Sequence, residues 1–279
     1  MKIIDAHMHF SKIKAFYEGA EGAGVIYSAS GLFEEYTQAG VVHSVCMGLN
    51  ETAPGICPDH DAQTPMFADL GTPLIPMSIN MGVNPHQLTE DNLKLISAAI
   101  KDRKEISGFK IYAGYYHEYI YSEVYKPIYR LAEENGLAVA IHCGDTYFKG
   151  GLVEYSNPIH VDRVANEFRD LNIVICHVGF PWVMEACEIA YKHDYVHVDI
   201  SGLSVGNAAE CRRMIDEPLI TNFFKQGFVF LNNYKKVIFG TDWPLTPVAP
   251  YIDFCKSILP EWALEDVFYG NAARVYGIK

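Results

Sequence analysis

Eight short β-branched runs alternate with longer segments of helical spacing along almost the whole chain, and that alternation restricts the fold more than any other feature. The runs are Lys2–Ala6, Val41–Leu49, Leu74–Asn80, Ser107–Tyr112, Leu137–Cys143, Asn172–Val178, Tyr195–Ser201 and Lys236–Thr241. Between them lie helical stretches at Thr89–Glu105, Ser122–Asn135, His160–Leu171, Trp182–His193, Asp216–Gly227 and Pro250–Ser257. A repeated strand-then-helix order requires parallel strands joined by right-handed crossovers. Ala138-Val139-Ala140-Ile141 and Ile173-Val174-Ile175-Cys176 are continuously apolar, as parallel strands covered on both faces should be. Eight such units in 279 residues predict an α/β fold, a (β/α)8 TIM barrel, with an open doubly wound sheet as the competing arrangement. No Pro/Gly/Ser-rich linker interrupts the pattern, so residues 1–279 are expected to form a single domain.

Charge narrows the partners. Lys and Arg number 22 against 34 Asp and Glu, a net charge of −12, which opposes contact with nucleic acid or an anionic membrane and favours a small-molecule substrate. The seven cysteines, at positions 46, 57, 143, 176, 187, 211 and 255, form no C-x-x-C pair, so reduced, buried thiols are expected. With no signal-peptide pattern after Met1 and no apolar run of spanning length, the expected location is the cytoplasm. A homo-oligomer is left open.

In a TIM barrel the active site sits at the C-terminal ends of the strands, and four of the predicted strands end in a titratable residue. These are Asp5-Ala6-His7-Met8-His9, Ile141-His142-Cys143, Cys176-His177-Val178 and Thr241-Asp242-Trp243. Side chains on a strand alternate, so His7 and His9 project to one side and can reach one metal ion together. His142 and Asp242 could complete the set, because barrel closure brings the eighth strand beside the first. Taken singly each has a plainer explanation: H-x-H is a weak motif, His142 and His177 read as core histidines, and Asp242 reads as a helix cap before Pro244. Such residues gathered at four strand ends argue for a site.

As a set these segments resemble the amidohydrolase superfamily, in particular the amidohydrolase-related branch that contains enzymes of the aminocarboxymuconate-semialdehyde decarboxylase type. The resemblance runs from Asp5-Ala6-His7-Met8-His9-Phe10 through Gly108-Phe109-Lys110-Ile111-Tyr112, residues 136–145 and 157–179, and Gly240-Thr241-Asp242-Trp243-Pro244 to Gly270-Asn271-Ala272-Ala273-Arg274. It implies a (β/α)8 barrel with His7, His9, His142 and Asp242 as metal ligands and His177 as an acid/base or water-orienting residue. It also singles out Lys110, which in binuclear members would be carboxylated and bridge two metals; the alternative is a protonated Lys110 that binds an anionic substrate or a nearby carboxylate. One divalent ion is expected, zinc first and manganese or another ion second, with two ions left open.

Such an ion lowers the pKa of bound water to about 7, and Asp242 is positioned to accept the water's proton. The expected reaction is therefore hydrolysis of an amide, lactone or other ester of a small molecule. The alternative is metal-dependent decarboxylation of an unsaturated or aromatic acid, which needs a cation for the substrate carboxylate. Residues 10–32 hold only Lys12 and Lys14 as positive charges, which places hydrolysis ahead, although Lys110, Lys149 or Arg163 could serve. A barrel that holds metal and binds a ligand without turnover is the non-enzymatic alternative.

Other motifs read as structure. Gly202-Leu203-Ser204-Val205-Gly206 matches a nucleophile elbow, but the last histidine, His197, precedes Ser204, so the required Ser–acid–His order cannot be assembled. Gly19–Gly24 is neither a P-loop nor a dinucleotide fingerprint and is expected to be a mobile loop. Residues 10–32 and 50–72, the latter with Pro58-Asp59-His60-Asp61, are expected to be long loops of the kind that form lids. Tyr112, Tyr115 and Tyr116 are candidates to stack on or hydrogen-bond a ligand, with loop packing as the alternative. Cys143 and Cys176 have the opposite strand parity to the neighbouring histidines and are expected to face the helices. Asp5 is expected to support the histidines, and Asp199, an acid inside a strand, must have a partner.

Overall fold

A computed structural model describes residues 1–11, 14–48, 75–147 and 149–279. The expectations placed on Lys12, on Cys57, on 50–72 with its Pro-Asp-His-Asp segment, and on the predicted strand ends at Leu49 and Leu74 lie outside these residues. The strands are β1 (Ile3–Met8), β2 (Val41–Met47), β3 (Met77–Val83), β4 (Ile106–Ile111), β5 (Ala138–Ile141), β6 (Ile173–Ile175), β7 (Val196–Asp199) and β8 (Val237–Ile238). Among the described residues the helices are α1 (Lys14–Ala23), α2 (Ala29–Ala39), α3 (Glu90–Asp102), α4 (Lys126–Asn135), α5 (Val153–Ser156), α6 (Val161–Glu167), α7 (Val183–Lys192), α8 (Ala208–Asp216), α9 (Pro218–Leu231), α10 (Val248–Ile258) and α11 (Asn271–Val275). All eight strands belong to one sheet in sequence order. Pairing is parallel wherever the register is defined, with Lys110 of β4 opposite Ala140 of β5. The end of β8 returns to β1, where Ala6 N–H donates to Phe239 O at 3.0 Å and Met8 bridges to Trp243. The architecture is the predicted (β/α)8 TIM barrel.

Two compact units divide the described chain. One contains Met1–Cys46 and Asp199–Lys279, the other Ser78–Val198. In the first, Phe224, Phe228, Phe239, Phe254 and Phe268 are essentially inaccessible, and Phe239 stacks on Phe268 at 4.4 Å. In the second, Phe109, Ile111, Val139, Ile141, Val174 and Ile175 are fully buried, which is why β5 and β6 carry apolar residues at consecutive positions.

The segment 10–32 departs from expectation. It is not one long loop, and Gly19–Gly24 is not a loop within it: α1 spans Lys14–Ala23 and α2 begins at Ala29. Gly19, Ala20 and Ala23 are buried, so small residues that resemble a flexible linker are the face that packs. Gly24, with φ 72°, then ends the helix in the left-handed conformation that glycine adopts without penalty. Ser28 caps α2 by accepting from Gly31 N–H at 3.0 Å. Gly22 is exposed, and a Cβ there would have no atom within 4 Å. Gly22→Ala should therefore stabilise the protein by about 0.5–1 kcal/mol through helix propensity alone, read as a higher urea midpoint at unchanged slope.

Candidate metal centre

His7 lies in β1 and His9 just beyond it, both buried, and Asp242 follows β8. Asp242 Oδ1 is 3.1 Å from His9 Nε2 and 3.4 Å from His7 Nε2. These three ligand atoms all lie within 4.8 Å of one another. Two imidazole nitrogens and one carboxylate oxygen converging in this way match the donor set of a zinc or related divalent site.

The rest of the first unit holds those donors in place. His7 Nδ1 faces Asp199 Oδ2 at 2.9 Å and Ser201 Oγ at 3.0 Å. A proton on Nδ1 satisfies Asp199 and leaves the Nε2 lone pair directed at Asp242, the arrangement by which an outer carboxylate fixes the tautomer of a metal-binding histidine. Asp199 thus has the partner its position demanded. Ser201 completes the pair by donating to Asp199 Oδ1 at 2.5 Å through its hydroxyl. His9 stacks on Phe16 of α1 at 4.7 Å. Asp242 has φ 66°, a left-handed backbone that Asp tolerates better than most residues, and its N–H donates to His7 O at 2.8 Å. Trp243 behind it is fully buried and donates to Glu35 Oε1 at 3.2 Å, while Glu35 Oε2 accepts from Val248 N–H at the start of α10.

Asp5 acts on the backbone beneath His7 and Asp242. Its Oδ1 accepts from His7 N–H at 3.2 Å and Thr241 N–H at 2.9 Å, and its Oδ2 accepts from Thr241 Oγ1 at 2.6 Å and Tyr36 Oη at 2.8 Å. Burial outweighs these four donors and pushes the Asp5 carboxyl up to about 6 from 3.8. Because the folded state holds this proton more tightly than the unfolded chain, the stability the group contributes is complete below about pH 4 and is lost as the pH rises to 6 and above. The full swing is about 3 kcal/mol. An asparagine fits the same place if its oxygen takes the two backbone donors and its amide donates to the two hydroxyls after they turn. Metal-free Asp5→Asn should therefore show a flatter stability profile between pH 4 and 7 than the parent in urea titrations; parallel profiles would contradict this.

In the second unit His142 follows β5 and His177 follows β6. His177 Nε2 is 3.2 Å from His142 Nδ1, and His142 Nε2 is 2.9 Å from Asp145 O. The Tyr115 and His142 rings meet nearly perpendicular, with centres 5.0 Å apart. Tyr112 is buried, donates its hydroxyl to Gly48 O at 2.9 Å and lies 6.0 Å from the Tyr115 ring. Lys110 is buried in β4, with Nζ 3.1 Å from Cys176 Sγ and 5.3 Å from the Tyr112 ring centre. These residues form one connected polar and aromatic cluster. Lys149 is exposed, and Arg163 is exposed and lies over Tyr121, 4.5 Å from its ring centre.

Cys176 corrects the parity argument, because its thiol meets Lys110 instead of facing the helices. β6 ends at Ile175, and the chain then enters a turn in which His177 and Val178 have φ 58° and 41°. The two-residue alternation that the argument extended through Cys176 stops before it. A β-branched residue in this conformation is a true outlier, and such strain concentrates at functional sites. Cys143, by contrast, is buried beside Tyr129 of α4. Ser204 is buried with its hydroxyl 3.7 Å from Cys211 Sγ, in keeping with a structural loop. Ser201, Tyr36, Thr241 and Glu35 were not singled out from the sequence; the signal that existed for Ser201 was its place two residues after the strand acid Asp199.

No described helix is long and apolar enough to cross a membrane. No curated protein matches the chain in sequence. Among solved structures, an uncharacterised TIM-barrel protein from Bordetella bronchiseptica superposes with a TM-score of 0.74 at 20% identity, covering 100% of this chain and 99% of that one. A probable 2-pyrone-4,6-dicarboxylic acid hydrolase from Acinetobacter baumannii, with citric acid bound, gives 0.65 at 16% identity, covering 99% and 100%. A 5-carboxyvanillate decarboxylase from Novosphingobium aromaticivorans, complexed with manganese and a nitrobenzoic acid, gives 0.64 at 14% identity, covering 99% and 95%. The family model described as Amidohydrolase (Amidohydro_2) matches residues 84–278, most of the chain, so the strand-end histidines and Asp242 sit in a member of the Amidohydro_2 amidohydrolase family.

Proposed function

We propose that this protein is a metal-dependent decarboxylase of a small unsaturated or aromatic carboxylic acid. The observation that carries the reading is the buried Lys110, joined through Cys176, Tyr112 and Tyr115 to the His142–His177 pair. Sequence reasoning placed hydrolysis first because a cation for a substrate carboxylate was hard to find. Of the three cations considered, Lys149 and Arg163 are exposed, whereas Lys110 is withdrawn from solvent beside the Cys176 thiol and the Tyr112 ring. The manganese-containing decarboxylase among the similar structures supports the same choice.

In this reading His7, His9 and Asp242 hold one divalent ion, and His142 is a further ligand on the strength of its place after β5. To ligate, His142 exchanges its contact with Asp145 O or His177 for the ion. When bound, the ion supplies Lewis-acid stabilisation of substrate oxygens. Zinc and manganese both suit the donors. Lys110 in its ammonium form attracts the carboxylate, and Tyr112 and Tyr115 lie against the flat unsaturated part of the substrate. Breaking the carbon–carboxylate bond leaves its electron pair on the ring or alkene carbon, and His177 delivers the proton that quenches it. Asp242 is the second proton-transfer group.

The hydrolase reading keeps one specific support, the resemblance to a probable dicarboxylic acid hydrolase, and it uses the same residues with Asp242 taking a proton from water. A panel of amides, lactones and carboxylated aromatics, assayed separately with Zn2+ and Mn2+, distinguishes them. CO2 release is expected; acid release without CO2 would establish hydrolysis, and stoichiometric metal with no turnover would establish a binding protein. His177→Asn should lower turnover by about 10²–10⁴-fold while leaving metal content unchanged.

A further inference from the structure

We infer that Glu35, on α2, is a positioning residue for the metal centre: it holds the Trp243 indole, and through Trp243 the peptide units that carry Asp242 and His9. This role rests on the reading that His7, His9 and Asp242 bind a divalent ion. Trp243 is placed to transmit such a constraint, because its backbone meets both ligands. It follows Asp242 directly, its carbonyl accepts from His9 N–H at 2.7 Å, and its own N–H donates to Thr241 Oγ1 at 2.9 Å. Asp242 itself has left-handed backbone at φ 66°, a conformation that persists where the surroundings over-determine it.

Most of what surrounds the tryptophan is apolar. Its ring is fully buried, lies nearly parallel to Phe10 at 7° with centres 6.1 Å apart, and is tilted against Tyr27 at 5.2 Å. Stacked faces resist tilting but not sliding within the ring plane. The one polar atom of the ring, Nε1, lies in that plane and donates to Glu35 Oε1 at 3.2 Å, which opposes the slide. Glu35 is anchored in turn at its second oxygen, where Oε2 accepts from Val248 N–H at 2.8 Å. Val248 opens α10, and Pro247 before it has no side-chain acceptor, so a carboxylate from α2 caps this helix in place of a local residue. The helix dipole favours a negative group there. One half-buried carboxylate thus joins α2, the start of α10 and the residue after Asp242. A cap needs one oxygen; the other ties that cap to the ligands.

Glu35→Gln separates the two bonds, since a glutamine offers one acceptor oxygen to two N–H donors and turns its own amide donor toward the second. Zinc affinity, measured by competition with a chromophoric chelator, should fall about 10-fold, the usual scale for losing an outer partner of a metal centre. Trp243→Phe removes the indole donor, so the glutamine oxygen then serves Val248 alone. In that background Glu35→Gln should change the zinc dissociation constant by less than about 2-fold. The second readout is the Trp243 indole proton in metal-free protein, identified among the three tryptophans with Trp182→Phe and Trp262→Phe. Glu35→Gln should move its resonance upfield and speed its exchange with solvent, because the charged acceptor is gone whichever donor the amide oxygen keeps. A capping role alone would weaken zinc binding equally in both backgrounds and leave the indole signal in place. Either of those results, or unchanged zinc affinity in Glu35→Gln, would overturn the assignment. A parent chain that takes up no zinc would overturn the metal centre itself, and that measurement precedes any variant. If Trp243→Phe does not fold, the affinity and the indole signal of Glu35→Gln decide the question.

Discussion

Asp242→Ala should strip the protein of its divalent ion. In the parent, metal analysis is expected to find about one ion per chain, and chelation should lower the melting temperature by about 5–10 °C, as follows from an ion present at about a hundred times its dissociation constant. The carboxylate is the one acidic donor of its triad, and its Oδ1 lies 3.1 and 3.4 Å from the two imidazole nitrogens. Removing it leaves a dication facing two neutral rings and an apolar methyl group, so bound metal should fall below about a tenth of the parent's and melting should become insensitive to chelator. Turnover should disappear with the ion. Full metal content in this variant would show that the ion, if present, sits elsewhere, and the proposed chemistry would fall with it.

The second large effect is steric. A Cβ on Gly240 would lie 2.6 Å from His7 Cβ, 2.9 Å from its nitrogen and 3.2 Å from its Cα. Most of those atoms are backbone, and they are clamped on both sides: Ala6 N–H donates to Phe239 O, Asp242 N–H to His7 O, and Thr241 N–H to Asp5 Oδ1. Neither segment can yield without losing hydrogen bonds at His7 and Asp242, two of the proposed metal ligands. Gly240→Ala should therefore cost about 3–5 kcal/mol and about 10 °C in melting temperature, and should weaken metal retention by displacing His7. Gly22→Ala, the same chemical change where a Cβ meets nothing, is the control and has the opposite sign. Equal behaviour of the two variants would refute the close approach.

The parts of this arrangement that were legible in the sequence are those governed by local periodicity. His7 lies in β1 and His9 one residue past its end, so alternation placed them together even though the register with β2 shifts between Asp5 and Met8, and an acid within β7 announced a buried partner. Asp242 was identifiable as a strand-end acid, but the left-handed backbone that directs its carboxylate was not, since nothing in Thr-Asp-Trp-Pro requires it. Cys176 was misjudged because parity was continued past the point where β6 stops, and the turn that stops it contains Val178 in a conformation valine avoids. Helix α1 was missed because Gly-Ala-Glu-Gly-Ala has poor intrinsic helicity; its stability comes from packing of its small face, and its Phe16 reaches His9. Tyr36 and Thr241 gain their roles only when distant segments meet, and no local pattern encodes that meeting.

The bonds that tie Asp5 and His7 to Asp199, Thr241 and Asp242 span between 192 and 236 positions of sequence. During synthesis, an emerging polypeptide exposes its first two histidines long before the residues that orient and complement them leave the ribosome. Capture of a cation at the proposed centre should therefore wait for the eighth strand, and a ribosome-stalled fragment ending before Thr241 should be unable to take up the ion.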